Sequence, residues 1–313
     1  MNIVFFGTAE FAIPAFKALL ASKHKVLALI TQPDRQRGRH LKVQPPPTKV
    51  LAEERGIPVY QPEDASGRES VEYLRRLGAD LFVVIAFGQI LKPEALDIPV
   101  IVAINLHGSL LPKYRGAAPT NWAIMSGDKS SGVTIIRMNE RMDEGDIVLQ
   151  REAAIGDDDT NITLNEALSD LGARLLLEAV DLIASGKAGY RKQDGSRATA
   201  APKLKKNDGI IDWSRSAAEI RNMVRGLLPW PGAHTGYKGR TLKILHTELI
   251  EYPAPGGAKP GEVLDTAKGR GIVVNTGSGA IALKHLQLEG GKILDADAFL
   301  RGHRISVGEI FRA

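Results

Sequence analysis

Apolar residues fall into two kinds of run along the first half of the chain. Short continuous runs end at glycine or polar positions: Asn2–Phe6 stops at Gly7, Lys25–Thr31 reads KVLALIT, and Leu81–Ala86 and Val100–Leu106 repeat the pattern. Between them apolar residues recur at helical spacing, from Phe11 to Leu20, near Pro47–Arg55 and over Glu69–Leu77. Buried, β-branched runs separated by helices predict a Rossmann-like α/β unit, a mostly parallel sheet with helices on both faces. Gly132–Met138 and Ile147–Ala154 predict further strands. Leu164, Leu168, Leu171, Leu175 and Ala179 form one apolar stripe, which predicts a long helix over Asn161–Ala184.

The pattern changes after that helix. Ser185–Lys206 is rich in Gly, Lys, Arg and Ala with little periodicity and reads as a linker region. One short helix is expected at Ala217–Leu227. Short runs separated by Gly and Pro follow, at Thr241–Leu249, Gly261–Asp265, Gly271–Asn275 and Ala280–Gln287, and predict a small β-barrel or sandwich. A length of 313 residues suits two domains. Their expected bounds are 1–190 for the first, 191–206 for the linker and 207–313 for the second.

Composition narrows the chemistry. There is no cysteine, which excludes disulfides, thiolate metal sites and a cysteine nucleophile, and fits a reducing cytosol. Hydrophobic residues at 43% and charged residues at 25% are ordinary for a globular protein. No apolar run is long enough to cross a bilayer, and MNIVFFGTAEF reads as a first strand, so a cytoplasmic location without a membrane partner is expected. The net charge of +5 is uneven: residues 206–313 hold fifteen Lys and Arg against eleven Asp and Glu. That surplus suits a polyanionic partner for the second domain.

Gly7 follows the first strand as a nucleotide-binding glycine would, but Gly7-Thr8-Ala9-Glu10-Phe11-Ala12 lacks the second and third glycines of a dinucleotide fingerprint. No GxxxxGK[ST] occurs, and Gly127-Asp128-Lys129-Ser130 lacks the upstream glycine. The seven histidines are scattered without ligand spacing, so no metal is expected. Ile104–Pro119, INLHGSLLPKYRGAAP, starts at the end of a buried strand, where parallel α/β sheets place ligands. Asn105 and His107 lie two apart and share a face of an extended chain. An amide donor beside an imidazole can bind a developing oxyanion and handle a proton. Asp143, in the turn Met142-Asp143-Glu144-Gly145-Asp146-Ile147, could fold back to that imidazole and complete a triad-like set. By the residues alone, the bland reading stays open: a satisfied polar histidine, a turn-forming asparagine and an ordinary Asp-x-Gly turn.

The chain also resembles the folate-dependent formyltransferases over nearly its whole length. The resemblance rests on Phe6-Gly7-Thr8 with Phe11-Ala12, Gln32-Pro33-Asp34-Arg35, and Asn105-Leu106-His107-Gly108-Ser109-Leu110-Leu111-Pro112. Tyr114-Arg115-Gly116-Ala117-Ala118-Pro119 and Met142-Asp143-x-Gly145-Asp146 continue it. The Gln-Pro-Asp-Arg loop and the basic second domain narrow the resemblance to members acting on tRNA. One departure is Gln36, where the family pattern usually has proline.

The resemblance implies that Asn105, His107 and Asp143 are catalytic. It implies that N10-formyltetrahydrofolate, as co-substrate, meets Ser109, Leu110, Leu111 and Pro112 and, in the loop Ile85–Leu91, Phe87, Gly88 and Ile90. It further implies that Arg35, Arg37, Arg39 and Lys42, in the cationic segment Asp34–Lys49, contact initiator methionyl-tRNA, that the second domain is a smaller OB-like β-barrel binding the tRNA with its basic face, and that there is no obligate protein partner. The residues alone read that segment as flexible and cationic, then stiffened by Pro45-Pro46-Pro47. The implied reaction is formyl transfer to an amine in translation initiation. The alternatives are a formyltransferase acting on a small amine and a non-catalytic RNA-binding protein.

Overall fold

The computed structural model describes residues 1–37, 42–253 and 255–312. The chain forms two compact units: Met1–Pro119, Ser130–Ala154 and Asn165–Pro202 make the first, and Thr120–Lys129, Ile155–Leu164 and Lys203–Ala313 the second.

The chain opens with β1 (Asn2–Gly7), α1 (Ile13–Leu20) and β2 (Lys25–Ile30). A short hairpin, β3 (Arg35–Arg37) with β4 (Lys42–Gln44), precedes α2 (Pro47–Glu54), β5 (Val59–Tyr60) and α3 (Arg68–Arg76). Then come β6 (Leu81–Ile85), α4 (Pro93–Leu96), β7 (Val102–His107), β8 (Arg115–Gly116) and α5 (Pro119–Met125). The stretch closes with β9 (Ser130–Arg137), β10 (Ile147–Ala154), α6 (Asn161–Ala184) and β11 (Ala200–Ala201).

The main sheet has the order β10-β9-β7-β6-β1-β2-β5. Strands β5, β2, β1, β6 and β7 are parallel, and only β9 runs against its neighbours. The chain builds outward from β1 in both directions, so the strand order reverses beside β1. This is the topological switch point where open α/β sheets take ligands. Alternation along β1 explains why both faces are covered. Val4 and Phe6 point into a cluster with Leu74, Phe82 and Phe87, whereas Phe5 stacks on Phe16 of α1 at 4.6 Å. Leu106 faces Gly172 of α6, so Asn105 and His107 point the other way along β7.

In the second unit, α7 (Ala217–Gly226) starts with a capping box, Ser216 and Glu219 each bonding the other's backbone. The strands are β12 (His234–Tyr237), β13 (Arg240–Ile250), β14 (Val263–Asp265), β15 (Ile272–Asn275), β16 (Ala280–Leu288) and β17 (Ile293–Asp295), followed by α8 (Ala296–Gly302). They form a curled antiparallel sheet in the order β12-β13-β16-β15-β14, with β17 on β16. Its inner face carries Leu242, Ile244, Val263, Val274, Ile281 and Leu283. The final segment spans the open side: Gly236 N donates to Arg312 O, and Val263 N to Glu309 O. The result is an OB-like half-barrel, in keeping with the smaller β domain expected from the run spacing. The strand β12, the hairpin β3–β4 and α8 are features that the sequence pattern did not announce.

Among the described residues no helix is long and apolar enough to cross a membrane, and no group of three or more His, Asp or Glu is placed to hold a metal ion.

Candidate active site

The C-terminal end of β7 delivers Asn105 and His107 to one face, as their spacing requires. Both meet Asp143, which lies in the turn between β9 and β10. Asn105 Nδ2 donates to Asp143 Oδ1 at 3.4 Å, and His107 Nδ1 stands 3.6 Å from Asp143 Oδ2. The backbone N–H of Gly116 donates to the same Oδ2 at 2.8 Å. The site is nearly dry, with the His107 side chain 6% and the Asp143 side chain 11% exposed.

The ring of His107 is set by a backbone group. Its Nε2 lies 2.9 Å from the carbonyl of Tyr114. A carbonyl can only accept, so Nε2 bears the hydrogen and Nδ1 is the nitrogen free to gain or lose a proton, facing the carboxylate. The chain strains to build this arrangement. Tyr114 at φ +60° and Asp143 at φ +56° are left-handed non-glycine residues, and Ala86 at φ +45° marks the end of neighbouring β6.

Glycine is obligatory at two points around Asp143. A Cβ on Gly145 would sit 1.7 Å from the carbonyl oxygen of Arg137, so only glycine lets the turn close onto β9. Gly116 has φ +124°, and its Cβ would come within 2.6 Å of Ala201 O. That closeness follows from the pairing of β8 with β11. The stretch after α6, which reads as a linker, is pinned to the first unit by this pairing and by the bridge between Ile147 and Arg191.

The Ser109–Pro112 turn lies beside this centre. Ser109 Oγ is fully buried and donates to Lys113 O at 2.6 Å, closing the turn. Thr134 Oγ1 donates to Ser109 O and accepts Leu111 N, and Gln150 caps Leu111 O at 2.9 Å. Leu110 abuts Gly132 and Leu111 is buried against Ile136 and Ile147, while Pro112 is half-buried. In the loop after β6, Phe87 is buried against Phe6, and its carbonyl accepts from Thr8 Oγ1 at 2.8 Å. Gly88 has φ +89° beside Gln32, and Ile90 is exposed. Thr8 also receives the N–H of Gln32, and Thr48 Oγ1 donates to Gly7 O. The Gly7-Thr8 pair therefore ties strand ends together at the switch point.

A cavity of about 530 Å³ opens next to the Asp143 turn. Its walls include Leu96, Ile101 and Met138 with Asp97, Arg137 and Arg141. The turn and loop residues just described do not line it. Its lining comes from the segments that follow the β6 loop and precede Asp143.

Of the cationic residues expected to meet RNA, Arg35 is exposed and only loosely held, by Gln32 Oε1 at 3.4 Å and Glu63 at 4.0 Å. Arg37 and Lys42 pair across the β3–β4 hairpin through their backbones, with side chains outside the described residues; Arg39 lies wholly outside them. Lys49 is committed to Asp34 at 2.8 Å. Asp34 also accepts from Gln61 at 2.7 Å, and the Gln61 amide followed by Lys49 holds its pKa below the usual carboxylate value.

Sequence reasoning missed Gln193. Its Nε2 donates to Asp143 O at 2.7 Å and Gly145 O at 2.8 Å, and its Oε1 accepts from Arg115. No local pattern marks it, because its partners lie 48 to 78 residues upstream.

Residues 1–180 match the family model described as formyl transferase, and residues 203–304 match that of the formyl transferase C-terminal domain. A methionyl-tRNA formyltransferase of Citrifermentans bemidjiense is 47% identical over 308 residues, 98% of this chain and 95% of that protein. One from Caldanaerobacter subterraneus subsp. tengcongensis is 43% identical over the full length of both. Among solved structures, the sugar 3N-formyl transferase WlaRD shares the fold at a TM-score of 0.66 and 18% identity, covering 90% of this chain and 96% of its own. HypX from Aquifex aeolicus aligns at a TM-score of 0.62 and 18% identity over 96% of this chain, which spans about half of that longer protein (47%). With both halves of the chain matched and relatives aligned end to end, the chain belongs to the formyl transferase family.

Proposed function

We propose that this protein transfers the formyl group of N10-formyltetrahydrofolate to the α-amine of methionyl initiator tRNA, for translation initiation in the cytoplasm. The observation that carries the chemistry is the convergence of Asn105, His107 and Asp143 on one nearly dry spot at the switch-point end of β7. The acceptor follows the activity for which the full-length relatives are named.

In this reading the amine nitrogen bonds to the formyl carbon, the carbon's bond to the folate nitrogen breaks, and a proton passes from the amine to that nitrogen. Asn105 Nδ2, held only at 3.4 Å by Asp143, is free to turn its donor to an oxyanion. His107 Nδ1 gains or loses the proton, and the Asp143 carboxylate stabilises the charged ring while Tyr114 O keeps its orientation. Burial strengthens each of these interactions by excluding water.

The folate is assigned to the loop Ile85–Leu91 and to Ser109, Leu110, Leu111 and Pro112, which follow the strand ends beside the catalytic trio. Phe87, Gly88 and Ile90 would receive the ring system through backbone hydrogen bonds. The tRNA is assigned to Arg35, Arg37, Arg39 and Lys42 of the cationic segment Asp34–Lys49 and to the basic second domain. Within this assignment, residues 1–190 are the catalytic domain, 191–206 the connector and 207–313 the tRNA-binding domain.

The test is formyl transfer by the purified protein from N10-formyltetrahydrofolate to charged initiator tRNA, free methionine or glycinamide ribonucleotide. Transfer to the charged tRNA alone is expected. Transfer to a small amine instead would assign a different acceptor, and transfer to none with retained tRNA binding would leave a binding module.

A further inference from the structure

We infer that Gln193 is a positioning residue for Asp143, fixing the backbone of the turn so that the carboxylate faces Asn105 and His107. The inference rests on the proposed reaction for its kinetic consequence and on geometry for its cause.

Every hydrogen-bonding position of the Gln193 amide is used. Both N–H groups donate to backbone carbonyls, Asp143 O at 2.7 Å and Gly145 O at 2.8 Å. The amide oxygen accepts Arg115 Nε at 3.2 Å and Nη2 at 2.9 Å. The orientation has no workable reverse: turned over, the oxygen would face two carbonyl oxygens and the NH2 would face a guanidinium. Arg115 extends the grip through Nη1 to Glu144 at 2.9 Å, the residue between the two bonded carbonyls. The turn is thus held at Asp143, Glu144 and Gly145 in succession.

The grip has work to do at this position. Asp143 has φ +56°, a conformation that a non-glycine residue keeps only when its surroundings insist on it. Relaxing that angle would swing the carboxylate away from Gly116 N, Asn105 and His107. Gln193 itself is anchored, because Arg191 two residues earlier exchanges both backbone hydrogen bonds with Ile147. Further along, Thr199 O accepts Arg115 N and Thr199 Oγ1 accepts Tyr114 N. The segment from Arg191 to Ala201 therefore fastens both chain stretches that flank the His107–Asp143 pair.

Gln193→Glu isolates the effect. The glutamate keeps the length and the attraction to Arg115 but has no donor for either carbonyl. Misplacing a reacting group by an ångström costs on the order of a hundredfold, so kcat should fall about ten- to a hundredfold with KM for folate and tRNA within about threefold. Because the effect acts through Asp143, adding Gln193→Glu to Asp143→Asn should lower kcat by less than about twofold further. Near-normal kcat in the single variant, a full additional loss in the double variant, or a rise in KM alone would overturn the inference. If Gln193→Glu does not fold, Gln193→Met has the same length without donors and carries the same expectation. Should the wild-type protein transfer no formyl group, the proposed function falls, and positioning is read by amide hydrogen exchange over residues 142–147. Exchange about tenfold faster in the variant supports it, and unchanged exchange refutes it.

Discussion

The backbone N–H of Gly116 donates to Asp143 Oδ2 at 2.8 Å, so a carboxylate from the β9–β10 turn is held by the loop that follows β7. The same oxygen stands 3.6 Å from His107 Nδ1, too long for a direct hydrogen bond but close enough to stabilise a protonated ring. The carboxylate is restrained by the protein from several sides before any substrate arrives. That restraint is the preorganisation expected of a site that stabilises developing charge.

Asn105→Ala and His107→Ala test that reading directly. Removing one oxyanion donor typically lowers turnover by about a hundred- to a thousandfold. Each variant should lose activity on that scale and keep the circular dichroism spectrum and melting behaviour of the wild type. Near-normal turnover in both would remove the catalytic assignment.

Gly145→Ala should damage the site through the backbone. The added methyl would meet Arg137 O at 1.7 Å, which forces the turn to move as a whole. The expected cost is on the order of 2–4 kcal/mol of stability, among the larger values for single substitutions, with loss of turnover beyond what destabilisation explains. A urea melt alongside activity at low temperature separates the two effects. A variant as stable as the wild type would show that the turn has room this geometry denies.

Arg35→Ala probes the RNA contact. Arg35 is exposed and weakly held, at 3.4 Å from Gln32 and 4.0 Å from Glu63, so its charge can meet a phosphate at little structural cost. The variant should raise KM for tRNA and leave kcat and the folate KM unchanged. The slope of log affinity against log salt should shrink by about one. An unchanged slope would place the RNA elsewhere.

The buried strands of the main sheet are legible in the sequence because parallel strands covered on both faces read as unbroken apolar runs, as in KVLALIT and LFVVI. The stripe from Leu164 to Ala179 likewise marks α6. By contrast β12, HTGY, has three glycine or polar positions in four residues and gives no run, and β3 is RQR, where charge hides the pairing. Helix α8 carried a local signal in Asp295, whose side chain accepts Ala298 N at 2.7 Å as an N-cap, but seven residues are too few for periodicity to show. Within the site, Asn105 and His107 are paired by their spacing on one strand. Their meeting with Asp143 spans nearly forty residues: triad logic leaves it as one open reading, and the family resemblance favours it. Two partners were beyond reach: Tyr114 acts through its carbonyl, and Gln193 through bonds to main-chain atoms, so neither side chain advertises its role.

The Asp34 contacts make a prediction about pH. Gln61 and then Lys49 hold the Asp34 pKa below its ordinary value, which is about 3.9 in an unfolded chain. A carboxylate with a depressed folded pKa adds stability that is fully present above the unfolded pKa and is lost as pH falls through the folded one. The bonds from Gln61 at 2.7 Å and Lys49 at 2.8 Å should therefore be intact at neutral pH and loosen only below the usual carboxylate range. Asp34→Asn should release this restraint at every pH, because a neutral amide cannot replace the ion pair with Lys49. Carboxyl-carbon NMR titration of the wild type, with amide exchange over residues 42–50 in both proteins, reads the effect. A titration midpoint at or above the ordinary aspartate value would refute the assignment, as would an Asp34→Asn segment exchanging no faster than the wild type at neutral pH.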